Sequence, residues 1–277
     1  MIIESKCAIF VADARLENVY VMRLKTLTPV FVISVLLSTS CTINESAELM
    51  PVTTDSELAL EFYETGMIAF DQLKWKLAWK NLEFAVNEDP DFFMAHFWLY
   101  FISSIESKKV AEHTLQVDAP LNEAEKQIKT AFKYLVDGQN EKVVEHLRMA
   151  IDLYPHDPAV YKILYLLQFQ FLKDMEGAVA TIQQSIEKQP NYAFAYNHLG
   201  YALMDLEELD RAEEAFNNYI KLAPNIANSY DSKGDFYMNS EQYEKAYESY
   251  MKAFEIDSGF AVSRKKAMKA MQLLEDS

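Results

Sequence analysis

Cysteine, glycine and basic charge are all scarce in this chain, and each scarcity removes a class of protein. Only Cys7 and Cys41 occur among 277 residues, which excludes a disulfide framework and a cysteine-built zinc ribbon. The five histidines, His96, His113, His146, His156 and His198, share no ligand spacing. No metal site is expected, and each histidine reads as a surface or groove residue. Six glycines do not form a phosphate-binding loop, and neither His-Glu-x-x-His nor Gly-x-Ser-x-Gly is present. The carboxylate pairs Glu207/Glu208 and Glu213/Glu214 read as loop or solvent-face residues. An enzyme is therefore not expected, nor are catalytic residues or a cofactor. Against 26 basic residues stand 42 acidic ones, for a net charge of -16. Nucleic acid is excluded as a partner, because its binding needs clustered Lys and Arg that displace counterions. Charge-driven adhesion to anionic lipid is disfavoured for the same reason, and most of the acidity serves solubility.

What is abundant is periodic. Pro155, Pro190 and Pro224 close Ala-containing apolar stretches about 34 residues apart, and Pro90 extends the beat upstream. Each unit holds two apolar stretches at helical spacing, such as Ala193, Tyr196, Leu199, Gly200 and Leu203, then Ala212, Ala215, Phe216 and Tyr219. Two amphipathic helices per unit follow, and the proline stops the second because it lacks an amide hydrogen and clashes with the preceding turn. Gly66, Gly200 and Gly234 fall inside first helices, where glycine costs roughly 1 kcal/mol against alanine. Close approach to a facing helix, whose Ala212 and Ala246 are equally small, is the expected compensation.

One unit is irregular. After an apolar helix over 92–105, its partner shortens to about 109–117, and the next unit opens at Asn122 with Glu125 three residues on, a capping-box variant. The irregularity reads as a bend, an interaction site or a decayed repeat. A last helix over 260–274, with Arg264, Lys265, Lys266 and Lys269 on its polar outer side, caps the array.

The line Tyr196, Leu199, Gly200, Tyr201, Ala212, Phe216, Tyr219 and Pro224 resembles the tetratricopeptide repeat family. The same slots recur at Tyr230, Gly234, Tyr237, Ala246, Tyr250 and Ala253, and upstream at Ala178, Ile182, Ser185 and Pro190. They recur again at Ala131, Tyr134, Val143, Leu147, Ala150 and Pro155, and at Phe62, Gly66, Ala69, Ala78, Leu82, Ala85 and Pro90. The resemblance covers about 59–260 and implies an all-α fold, a right-handed superhelical solenoid of antiparallel helix pairs with a C-terminal capping helix. Units are expected near 59–92, 93–120 (degenerate), 124–157, 159–192, 193–226 and 227–260, followed by the cap at 261–277.

The resemblance also implies that first helices line a concave face. That places Tyr63, Met67, Phe97, Phe101, Phe132, Ile163, Leu167, Phe194, Asn197, Tyr201, Asp231 and Asp235 in a groove. Its walls are apolar and aromatic for most of their length and acidic at the C-terminal end. Such a stripe suits a protein or peptide partner with apolar anchors; equally, tight superhelical curvature would bury it as core. The lysine and arginine pairs with which some family members clamp a peptide's C-terminal carboxylate are missing from these slots.

The N-terminus bears on location. From Met22 the chain runs through Arg23 and Lys25 into the apolar stretch 28–37 and then Ser38, Thr39, Ser40 and Cys41, the order of a secretory signal. The apolar core, at roughly 10 to 12 residues, is shorter than the ~20 that span a bilayer. The small residues before Cys41 resemble a bacterial lipoprotein signal, with 22–40 removed and Cys41 lipidated. Ser38 departs from the leucine usual three residues before that cysteine, and the alternative is a signal that is uncleaved or cut elsewhere, with export retained. Residues 1–21 mix charges of both signs with apolar residues, so translation is expected to start at Met22. Removal of the first 40 residues, four basic and three acidic, leaves about -17. Residues 41–57 read as a flexible Thr/Ser-rich tether.

The combined expectation is an exported scaffold for protein–protein interaction, lipid-anchored in the bacterial envelope, with the outer membrane favoured and a periplasmic or surface-facing array. The alternatives are a ligand- or glycan-binding nutrient-uptake lipoprotein and, if Met1 is the true start, a cytoplasmic regulatory module.

Overall fold

A computed structural model describes residues 48–102 and 107–276. Cys41, the signal segment and the start site lie outside the described residues. Among the described residues there are thirteen α-helices and no strand: α1 (Glu57–Asp71), α2 (Trp75–Glu88), α3 (Phe93–Ile102), α4 (Ser107–Gln116), α5 (Glu123–Val136), α6 (Asn140–Leu153), α7 (Pro158–Leu166), α8 (Met175–Lys188), α9 (Ala193–Asp205), α10 (Leu209–Leu222), α11 (Ala227–Asn239), α12 (Tyr243–Ile256) and α13 (Ala261–Glu275). A π-helical turn, Leu167–Leu172, continues α7. Consecutive helices pack on one another along the array, and the packing of α3 on α4 is thinner than within the other pairs. The architecture is a superhelical solenoid of helix pairs, with α13 as an unpaired last helix packed on α12.

The turns inside five of the helix pairs, α1/α2, α5/α6, α7/α8, α9/α10 and α11/α12, follow one design. Leu73, Lys173, Glu207 and Glu241 adopt φ of 56°, 56°, 60° and 55°, and Gly138 adopts 72°, so from Gly138 onward a left-handed residue recurs about every 34 residues. It ends the first helix by sending the next amide back to an orphan carbonyl: Lys74 to Ala69 at 2.9 Å, Gln139 to Tyr134 at 2.8 Å, Glu208 to Leu203 at 2.9 Å and Gln242 to Tyr237 at 2.8 Å. In the fourth pair the π turn shifts this bond by one residue, from Asp174 to Gln168 at 3.0 Å. Only Gly138 advertises the position in sequence, since the other four side chains are not those that favour positive φ.

The glycines sit at the closest helix approach, but opposite different residues from those expected. A Cβ added at Gly200 would lie 2.6 Å from the Phe216 ring, and one at Gly234 would lie 2.5 Å from Tyr250. At Gly66 it would meet Leu82 at 3.0 Å. The partner is thus the large side chain four residues beyond the small Ala212, Ala246 or Ala78. Those alanines are themselves fully buried.

The array curls until its first pair meets its last. Leu73 packs into a small apolar cluster with Ala227, Ala253 and Phe260, and Lys74 Nζ lies 2.9 Å from Asp257 Oδ2. The end of α1 reaches the inside of the curve, where Asp71 accepts from Lys162 Nζ at 2.6 Å and from the Tyr192 hydroxyl at 3.1 Å. Lys162 is buried and lies over the Phe70 and Trp98 rings, 5.6 and 5.3 Å from their centroids. A buried pair of this kind contributes little against an apolar replacement, but removing one partner costs about 3–5 kcal/mol.

Candidate functional site

The concave face is occupied at one rim by the chain's own N-terminal segment. Met50 N–H donates to Asp157 Oδ2 at 2.8 Å, Thr53 N–H donates to Glu125 Oε1 at 2.7 Å, and the Thr53 hydroxyl bonds Glu125 Oε2. The Thr54 hydroxyl donates to Asp89 Oδ2 at 2.5 Å, and Asn122 Nδ2 donates to the Pro51 carbonyl at 2.8 Å. Asp89 precedes α3, Glu125 lies in the first turn of α5 and Asp157 is the N-cap of α7. Residues 50–54 therefore cross the starts of three first helices as a strap, which departs from the expectation of a flexible tether for these five residues, while 41–47 lie outside the described residues. Thr looks like linker composition, yet here Thr53 and Thr54, together with the Met50 amide, supply donors to carboxylates on three separate repeats. Glu125 serves twice, since it also completes the capping box with Asn122.

Most of the expected groove stripe is core. Phe97, Phe132, Ile163 and Leu167 are completely buried, and Tyr63, Asn197 and Asp231 are buried as well. Phe97 meets Trp98, Phe101 and Phe132 edge-on at 5.6, 5.1 and 5.5 Å. Tyr63 accepts from Trp98 Nε1 at 3.1 Å, and burial raises its phenol well above the ordinary range. Met67, Phe101, Phe194, Tyr201 and Asp235 are half-buried. The curvature that brings α1 to α7 and to the α11–α13 end covers side chains that a wider superhelix would expose.

The acidic end is neutralised from within. Asp231 accepts from Ser263 Oγ at 2.5 Å and Lys266 Nζ at 2.8 Å. Asp235 accepts from Tyr201, Tyr250 and Lys266 at 2.8, 2.8 and 2.7 Å. Lys266 thus faces inward, which corrects its assignment to the outer side of the cap. Burial raises the Asp231 carboxyl above its usual value despite Lys266. For Lys266, burial alone would lower the ammonium, but the two carboxylates outweigh it and the net shift is upward.

Two histidines expected at the surface or groove are also covered. His198 lies against Tyr165 at 4.6 Å with its Nε2 sealed from solvent and unpartnered; burial, then Lys162, pushes it down to about 3. His96 is buried, bonds the Pro90 carbonyl through Nε2 at 2.8 Å and meets the His113 ring at 4.6 Å. Glu213, read as a solvent-face residue, accepts from Lys233 at 2.9 Å and from Tyr237 at 3.1 Å. No group of three or more metal-ligating side chains is found among the described residues.

A second group of partly exposed aromatic residues lies at the other ends of the first helices. At the C-terminal end of α3, Tyr100 stacks on Phe171 of the π turn at 5.9 Å, and Phe101 meets the same ring edge-on at 5.7 Å. Phe132 closes the floor, 4.8 Å from Tyr100. Phe171 is 40% exposed, and Tyr100 and Phe101 are half-buried. Lys173, at left-handed φ, ends the π turn that carries Phe171, and π turns in helices recur at functional sites. Phe171 was invisible in the periodic reading because the π register displaces it from the expected slots. Its signal was the aromatic pair Phe169 and Phe171, spaced by two where helix period asks for three or four.

Helix order and packing together define a helix-pair repeat protein. The tetratricopeptide repeat family model matches residues 195–226 and 227–260, the two pairs α9/α10 and α11/α12. Among solved structures, the thermophilic TPR protein TTC0263 of Thermus thermophilus aligns over 77% of this chain and 99% of its own, with TM-score 0.50 and 16% identity. The MamA protein aligns over 74% and 94% at TM-score 0.39 and 20% identity. The first TPR domain of human RPAP3 aligns over 44% and 95% at TM-score 0.41 and 18% identity. No curated protein sequence matches significantly. At these identities the likeness concerns the fold alone.

Proposed function

We propose that this protein is an exported scaffold, lipid-anchored through Cys41 in a bacterial cell envelope, that acts by binding a protein partner and not by catalysis. The observation that carries the binding part is the open aromatic rim. Tyr100 and Phe101 of α3 and Phe171 of the π turn after α7 come from two repeats and converge on one partly exposed surface, while Phe97 and Phe132 of the stripe are fully buried. Aromatic side chains on a rigid support contribute large contact area at small entropic loss. Repeats of this type supply such supports.

The strap sharpens the anchoring part. With Met50 fixed on Asp157, only residues 42–49 separate it from Cys41, a reach of at most about 30 Å.

A photo-reactive amino acid placed at Phe171 tests the binding part in intact cells. The expected result is a single protein adduct that is lost at least tenfold when Phe101→Ser is added, under conditions where the variant keeps the helical signal of the folded array. Equal cross-linking from Glu214, on another face, would contradict the site. Metabolic labelling with a palmitate analogue tests the anchor separately: label on wild type and none on Cys41→Ala is expected, and equal label on both would contradict it.

A further inference from the structure

The seam where the first pair meets the last carries an open cavity of about 760 Å³, within the size range of small-molecule sites. Its apolar wall comes from both ends of the array: Trp75 and Leu77 from α2, Val262 from α13, and Phe260 just before it. Trp75 is 46% exposed, Leu77 47% and Val262 52%, so three half-open large apolar residues contribute to the lining. Isolated exposed apolar residues are ordinary, but a concave group drawn from two elements marks a binding surface.

The charges at the edge give the polarity of the occupant. Asp257 is committed to Lys74 and to the Gly259 amide, both at 2.9 Å, and Asp231 to Ser263 and Lys266. Lys76, exposed on the same edge, makes no ion pair among the described residues. With Lys74 held by Asp257 and Lys266 shared between Asp231 and Asp235, Lys76 is the cation of this cavity that is left without an ion pair among the described residues. One uncommitted cation beside an apolar wall matches a ligand with one anionic group and an apolar body, not a polyanion.

We infer that the seam cavity binds a small amphiphilic anion, an acyl or similar apolar body carrying a single carboxylate. The body lies against Trp75, Leu77, Phe260 and Val262, and the carboxylate pairs with Lys76. Because these walls belong to opposite ends of the array, an occupant also holds the seam together. The site is separate from the aromatic rim and stands or falls independently of it.

Calorimetric titration of the full chain with dodecanoate, below its micellar concentration, tests the inference. Saturable one-to-one binding is expected. Decanoate should bind roughly tenfold more weakly, as two methylenes of burial require, and dodecanol at least fivefold more weakly. Lys76→Glu should reduce dodecanoate binding to the level of dodecanol or below, and Val262→Glu should weaken both ligands at least tenfold. Both positions are exposed, so unchanged urea midpoints should accompany these losses. Met149→Glu, at an exposed apolar residue of α6 outside the cavity, should leave binding unchanged. Non-saturating binding, dodecanol binding as tightly as dodecanoate, or equal loss in Met149→Glu and Val262→Glu would overturn the inference.

Discussion

Phe97→Ala separates a core stripe from an open groove by magnitude. The side chain is fully buried and meets three aromatic rings edge-on, at centroid distances of 5.1 to 5.6 Å. Truncating a buried Phe leaves a cavity and costs about 3–5 kcal/mol, whereas an exposed groove residue away from other contacts changes stability by about 0.5 kcal/mol or less. With a urea dependence of about 2–3 kcal/mol per molar, the midpoint should fall by about 1–2 M. Repeat arrays can unfold in parts, so helix content and tryptophan fluorescence should be followed together. The Trp98 signal should report the loss first, since that indole lies 5.6 Å from Phe97. Phe171→Ala, at a side chain 40% exposed, should cost about 1 kcal/mol in the same assay. A Phe97→Ala midpoint within about 0.5 kcal/mol of wild type, together with native-state binding of an apolar dye, would refute the assignment to core.

Three further outcomes follow from named contacts. Gly200→Ala should destabilise by about 1–2 kcal/mol in thermal unfolding despite alanine's better helix propensity, because the new Cβ lands 2.6 Å from Phe216; Gly66→Ala, facing the flexible Leu82 at 3.0 Å, should lose less than about 1 kcal/mol. Glu125→Ala removes the acceptor of Thr53 and Asn122 together, so it should cost about 2 kcal/mol and strip hydrogen-exchange protection from the Thr53 amide; unchanged protection there would argue against the strap. His198, held neutral with its value pushed down to about 3 from 6.5, is depressed in the folded state, so the unfolded chain takes up the proton first as pH falls. Its contribution is full above pH 6.5 and is lost progressively between 6.5 and 3, about 2 kcal/mol by pH 5. His198→Phe should flatten that part of the stability profile relative to wild type.

The helix-pair solenoid was legible because a 34-residue beat writes local packing into the sequence: Pro190 and Pro224 end second helices, and Gly200 and Gly234 mark the close approach. The overall curvature was not legible, since it follows from small rotations between units that no single residue encodes. Curvature is what turned Phe97, Phe132, Ile163 and Leu167 from candidate groove into core and brought Lys74 to Asp257. Lys266 was misplaced for a related reason: a lysine on a terminal helix reads as solvent-facing until the carboxylates of Asp231 and Asp235 are seen opposite it. The strap was hidden by composition, because Thr53 and Thr54 resemble linker residues and their acceptors lie 72 and 35 positions away. Of the aromatic rim, Phe101 was anticipated by its slot, whereas Phe171 depended on a π turn that breaks the period by which slots are counted.

The closed array is tested most directly by zero-length carbodiimide coupling of the unmodified protein. Lys74 Nζ and Asp257 Oδ2 are 2.9 Å apart across the seam although they are 183 residues apart in the chain. The expected product is an intramolecular Lys74–Asp257 amide, recovered from the monomer by peptide mass spectrometry alongside the Lys266–Asp235 amide. Recovery of the Lys266–Asp235 product without the Lys74–Asp257 one would show an open superhelix and contradict the closure on which the buried stripe and the seam cavity both rest.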